Sequence, residues 1–175
     1  LYYDNDGLLD LFMVNGHVYP EVEAIYPEEP FRQPRVLFRN LGKGRFADVS
    51  ASMGTDIIER HSGRGLAVGD FDNDGDLDIF INNMNELPSL LENRGVNSNN
   101  FLSIKTVGTQ SNRNGLGTLI TISVSGRTQI AEVRSGSSFM SNNDVRVHFG
   151  LNQAQRVDWL ELKWPSGRVD RIKDI

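Results

Sequence analysis

No cysteine occurs among the 175 residues, so no disulfide holds the fold and no thiolate is available as nucleophile or metal ligand. No apolar run approaches the ~20 residues that a membrane-spanning helix needs. Positive charge is in deficit, with 18 Lys and Arg against 23 Asp and Glu and a net charge of −5. The cations form no basic face, which argues against nucleic acid as a partner. Gly-x-Ser-x-Gly is absent, and with it the strained nucleophile elbow. The three histidines, His17, His61 and His148, lie far apart in the chain. His148 sits in an alternating segment that favours a structural role. Gly115-Leu116-Gly117 lacks the third glycine and the βαβ setting of a dinucleotide site, and reads as a turn. No signal peptide is visible and the chain starts without methionine, so the expectation is a piece of a longer protein whose secretion signal lies elsewhere.

What the chain has instead is carboxylates at alternate positions. Asp70, Asp72, Asp74, Asp76 and Asp78 are separated by one residue each, with Gly75 sixth in the run. Five acids so close repel one another unless a hard cation accepts their oxygens, and calcium, which takes six to eight oxygens in a flexible geometry, suits best. A helix-loop-helix calcium site needs glutamate at the twelfth position, which here is Ile81. The flanks, 64–69 and 77–82, are short, apolar and without helical period, so the reading is strand, calcium loop, strand. Asp70, Asp72 and Asp74 are expected to give side-chain oxygens, Asp76 its backbone carbonyl, and Asp78 both carboxylate oxygens.

The pattern occurs a second time. Asp4, Asp6 and Asp10 match Asp72, Asp74 and Asp78 when Gly7 is aligned with Gly75, and Leu8 then offers its carbonyl. The first ligand position falls on Tyr2. Either that loop has lost a ligand or the opening residues are not the natural ones. The offset, 75 minus 7, is 68 residues. That exceeds the about 40–50 residues of common propeller repeats. The excess lies in 17–34, which contains Pro20, Pro27, Pro30 and Pro34 and reads as an irregular surface insertion. After it, Val36–Asn40, the Gly42-Lys43-Gly44 turn and Arg45–Val49 form a hairpin signature, echoed more briefly at Leu90–Gly95.

"VLFRNLGKGRFADVSASMG" and "GLAVGDFDNDGDLDIFINN" resemble FG-GAP or VCBS type repeats, the calcium-bearing blades of β-propellers. The resemblance covers about the first half of the chain. Past a polar linker at Asn97–Asn100, the segments 101–107, 119–124, 128–133, 145–149 and 157–164 alternate with period two, which predicts an antiparallel sandwich or small barrel. Trp159 and Trp164, read as one strand, should face opposite ways. This half resembles the ASPIC/UnbV domain of the cartilage acidic protein family. The landmarks are Asn112–Gly117, Ser135–Phe139, His148–Leu151 and Trp164–Gly167, with Thr118 where the family commonly has alanine.

The expected architecture is therefore all-β: calcium-loop propeller blades over residues 1–95, an incomplete propeller, followed by a β domain over 96–175. The resemblance implies a secreted or cell-surface protein. The expected function is non-catalytic adhesion or recognition of a protein or glycan with Ca2+ as structural ion; the alternative is an accessory region of a secreted metal-assisted hydrolase. Blades cannot bury their faces alone, so the expectation is that the chain either associates with itself or relies on the second domain.

Overall fold

The computed structural model describes residues 1–95 and 98–175. The expected boundary between 95 and 96, and Asn97 of the linker, fall outside the described residues. The fold is all-β, and every strand pairing is antiparallel. In chain order the strands are β1 (Leu11–Met13), β2 (Gln33–Pro34), β3 (Val36–Asn40), β4 (Phe46–Asp48), β5 (Arg60–His61), β6 (Gly63–Gly69), β7 (Asp78–Asn83), β8 (Ser89–Leu91), β9 (Asn100–Ile104), β10 (Leu119–Val124), β11 (Arg127–Glu132), β12 (Val147–Asn152), β13 (Trp159–Lys163) and β14 (Val169–Lys173). Two helices of a single turn, α1 (Val22–Ile25) and α2 (Thr55–Ile58), interrupt the first half.

The repeat appears as two three-stranded sheets, β1-β3-β4 and β6-β7-β8. The turn between β3 and β4 places Gly42, Lys43 and Gly44 at positive φ, as its glycine content requires. The segment 90–95 supplies only β8, which pairs with β7 rather than forming a hairpin of its own. Alternation sorts each blade: Phe12 and Leu37 from the first sheet and Ile79 and Leu91 from the second line one apolar cavity of about 360 Å³. On the opposite face of the second sheet Ala67, Phe80 and Leu90 are cross-strand neighbours, and Phe80 and Leu90 are exposed. The insertion at 17–34 is mostly exposed and contains α1.

The second half is two sheets, β11-β10-β13-β14 and β9-β12, packed over one core; the described strands close no barrel. Ile120, Ile122, Leu160 and Leu162 meet Val147, Phe149 and Leu151 there. Strand β14 was not anticipated: its residues 169–173 are nearly all exposed, so no period-two apolar signal marks them. Asn100, assigned to the linker from sequence, opens β9. Trp164 lies one residue beyond β13, so strand alternation does not reach it. It packs against the core and donates from Nε1 to Asp170 Oδ2 at 2.7 Å.

Candidate metal centre

The acidic run at 70–78 is the connection between β6 and β7, closed by the pair Gly69 and Asp78. Two residues let it turn so sharply. Asn73 is at φ 62° and Gly75 at φ 94°, left-handed conformations that asparagine tolerates and glycine adopts freely. Gly75 has a second constraint, because a Cβ there would stand 1.9 Å from the ring of Phe101.

Three of the carboxylates, those of Asp72, Asp74 and Asp78, also organise backbone. Asp72 Oδ1 accepts from the Asp74 amide at 3.2 Å, and Asp74 Oδ1 from the Asp76 amide at 2.8 Å. Asp78 accepts from the Phe71 amide at 2.9 Å and the Asn93 amide at 2.8 Å. Oxygens of Asp70, Asp72 and Asp78 come within 4.8 Å of one another. That is about twice a calcium–oxygen bond, so one cation fits among them. Asp74 and Asp76 stand outside this trio; the Asp76 side chain accepts from Asn5 Nδ2 at 3.1 Å.

Asp70 carries the decisive feature. The residue is 8% exposed, and its Oδ1 is buried with no hydrogen-bond partner. A buried anionic oxygen left unpaired costs several kcal/mol unless a cation compensates it. Burial raises the pKa of Asp78, and burial together with Asp74 raises that of Asp76. The donor set, all oxygen and all anionic, fits a hard divalent cation.

The 4–10 loop repeats this geometry bond for bond. Asp6 N donates to Asp4 (3.2 Å), Leu8 N to Asp6 (2.8 Å), Tyr3 N to Asp10 (3.4 Å) and Asn40 N to Asp10 (2.8 Å). Asn5 and Gly7, at φ 53° and 83°, copy Asn73 and Gly75. The centres differ. Tyr2, in the place of Asp70, turns its hydroxyl away to donate to Gln129 Oε1 at 2.8 Å. The Arg39 guanidinium approaches Asp4 at 3.0 Å and Asp6 at 3.5 Å. Burial works against the Arg39 charge, but Asp4, Tyr3 and Asp6 outweigh it and raise its pKa. Burial pushes Asp10 up to about 6 and raises Asp4 as well. In the second repeat the position before the buttressing asparagine holds Glu92 instead of arginine.

Sequence reasoning did not find the roles of Asn40, Asn93 and Arg39. The signal was present in the shared Asn-x-Gly of 40–42 and 93–95, whose asparagine amides tie down the closing aspartates.

The profile described as FG-GAP-like repeat matches residues 3–81, that described as FG-GAP repeat matches 62–101, and ASPIC and UnbV matches 108–175. The chain joins FG-GAP repeats to an ASPIC and UnbV domain. It is similar to Cartilage acidic protein 1 of Xenopus tropicalis, 38% identical over 77 residues, 44% of this chain and 11% of that protein. It is also similar to the Mus musculus and Homo sapiens proteins of that name, each 48% identical over 52 residues, 30% of this chain and 8% of theirs. The chain thus spans about a tenth of the length of the curated relatives it matches.

The three histidines remain separate. His148 Nε2 is 2.7 Å from Asn5 Oδ1, and its ring stacks on Phe101 at 5.4 Å. Asn5 Nδ2 donates to Gly75 O and Asp76 Oδ1, which leaves Asn5 Oδ1 to accept and puts the His148 proton on Nε2. Burial, assisted by Arg146 and opposed by Asp70, pushes the His148 pKa down to about 4. His61 bonds Glu86 at 2.7 Å, and the His17 ring accepts from the Tyr19 amide. Among the described residues no helix is long and apolar enough to cross a membrane.

Proposed function

We propose that this chain is a non-catalytic, extracellular calcium-binding module in which the ion fastens the β6–β7 connection and recognition of a protein or glycan uses the surrounding loops. Asp70, Asp72 and Asp74 supply carboxylate oxygens, Asp76 its carbonyl and Asp78 closes the set. The unpartnered, buried Oδ1 of Asp70 carries this reading, because no hydrogen-bond donor among the described residues reaches it. In the 4–10 loop, where Asp4, Asp6, Leu8 and Asp10 repeat the ligand pattern, the Arg39 guanidinium takes the place of the ion. An extracellular setting is extended from the relatives, whose name places them in cartilage. A hydrolase would need a general base beside the metal and an open coordination position. The nearest histidine, His148, is instead held by Asn5 beneath Phe101.

Ligand binding to the native state stabilises it by mass action, about 2.7 kcal/mol at a hundred times Kd. Calcium is therefore expected to raise the melting temperature by several degrees over chelator, and Asp70→Asn to erase most of that shift. A wild-type melting temperature indifferent to calcium would overturn the assignment.

A further inference from the structure

The ASPIC and UnbV domain does not simply follow the blades; it grips both acidic loops with one strand face. Along β12 the side chains of Val147, Phe149 and Leu151 enter their own domain's core. Period two sends His148 and Gly150 the other way, and together with Arg146, the residue just before the strand, they meet the loops. Arg146 Nη1 donates to Asn73 Oδ1 and its Nη2 to the Asp70 carbonyl, both at 2.8 Å. His148 meets Asn5, the residue that corresponds to Asn73 in the other loop. At Gly150 a Cβ would stand 2.7 Å from the Asn5 backbone, so only glycine lets the strand come so near. Backbone joins in as well: the Asn152 amide donates to Asn5 O at 2.8 Å and the Asp144 amide to Val68 O at 3.0 Å. Asn5 then reaches across to Gly75 O and Asp76 Oδ1, tying the first loop to the second.

We propose that occupancy of the 70–78 loop by calcium and docking of the 98–175 domain onto the blades form one coupled equilibrium, with Arg146 as the positioning residue that transmits it. This rests on the calcium reading above. The Arg146 fork requires the Asp70 carbonyl and the left-handed Asn73 side chain in fixed places. Without an ion, Asp70, Asp72 and Asp78 repel and those acceptors scatter; with it, they are set. Linkage is reciprocal, so a docked domain raises calcium affinity by the factor by which calcium tightens docking. The sign separates this role from simple charge. Arg146 is a cation beside a cation site, paired with Asp144 at 2.5 Å. Were charge its only influence, removing it would strengthen calcium binding.

The test is calorimetric titration of calcium into the protein and its variants, with amide hydrogen exchange at Asp144 and Asn152 and circular dichroism to verify folding. Arg146→Met is expected to weaken calcium binding about fivefold or more. Arg146→Lys, which keeps the charge and loses the fork, should behave like Arg146→Met. Asn73→Gly, which removes the acceptor at a φ that glycine accepts, should also weaken binding. Arg171→Met, removing an exposed arginine paired with Glu161, should leave it unchanged. Calcium should slow exchange at both amides in the wild type and lose that effect in Arg146→Met. Unchanged or tighter binding in Arg146→Met, or wild-type exchange indifferent to calcium, overturns the coupling while the calcium site stands. A wild type that binds no calcium removes both.

Discussion

Tyr2 and Arg39 set one acidic loop apart from the other. Where the second loop has Asp70 with an unpaired buried oxygen, the first has a tyrosine whose hydroxyl is satisfied elsewhere. Where the second has Glu92, exposed and paired with Arg94, the first has a guanidinium against two aspartates. One acid lost and one cation gained give the first loop an internal counter-charge, fixed covalently and indifferent to chelator. The expected stoichiometry is accordingly one calcium per chain. The double variant Tyr2→Asp with Arg39→Glu, which copies the second loop, is expected to bind two, as counted by calorimetry. A wild type that binds two ions would show that Arg39 yields its place.

Packing between elements depends on positions where no side chain fits. The β6–β7 connection lies directly under Phe101 of β9, and Gly75 is what allows it. Gly75→Ala combines a left-handed φ of 94° with an overlap on the aromatic ring. The left-handed strain alone costs of order 1–3 kcal/mol. The expected result in chemical denaturation is a loss of at least that size, partly recovered by adding Phe101→Ala, which frees the space but not the backbone. Full recovery would mean that the ring overlap, rather than φ, was the whole effect. The strands themselves were largely legible. β3, β4, β6, β7, β10 and β11 sit close to the segments read as strands, and β7 shows the reason most plainly, with Ile79 and Ile81 buried and Phe80 between them exposed. β14 was not, since it is an edge strand of mostly exposed residues held by its ladder to β13.

Taken whole, the molecule leaves blade surface uncovered. Phe80 and Leu90 on the second sheet and Leu11 and Met13 on the first are all between 45% and 50% exposed. Each pair lies on one side of its sheet, the kind of face a propeller buries against a neighbouring blade. Two such exposed faces on one chain predict association with a second copy. Sedimentation velocity is expected to show association that grows with concentration and weakens in Phe80→Glu; a monomer at high concentration would sink this expectation.

The order of apolar and acidic residues along the chain was enough to indicate an all-β fold and two loops of one shared acidic pattern. Those features rest on local periodicity and on spacing within a few residues, both of which can be read from a single strand or turn. What only the tertiary structure decided is the inequality of the loops and the grip upon them. Arg39 reaches Asp4 from 35 positions away and Arg146 reaches Asp70 from 76 positions away. Charge pairing at such separations depends on how sheets stack, and no local pattern in the sequence encodes that stacking.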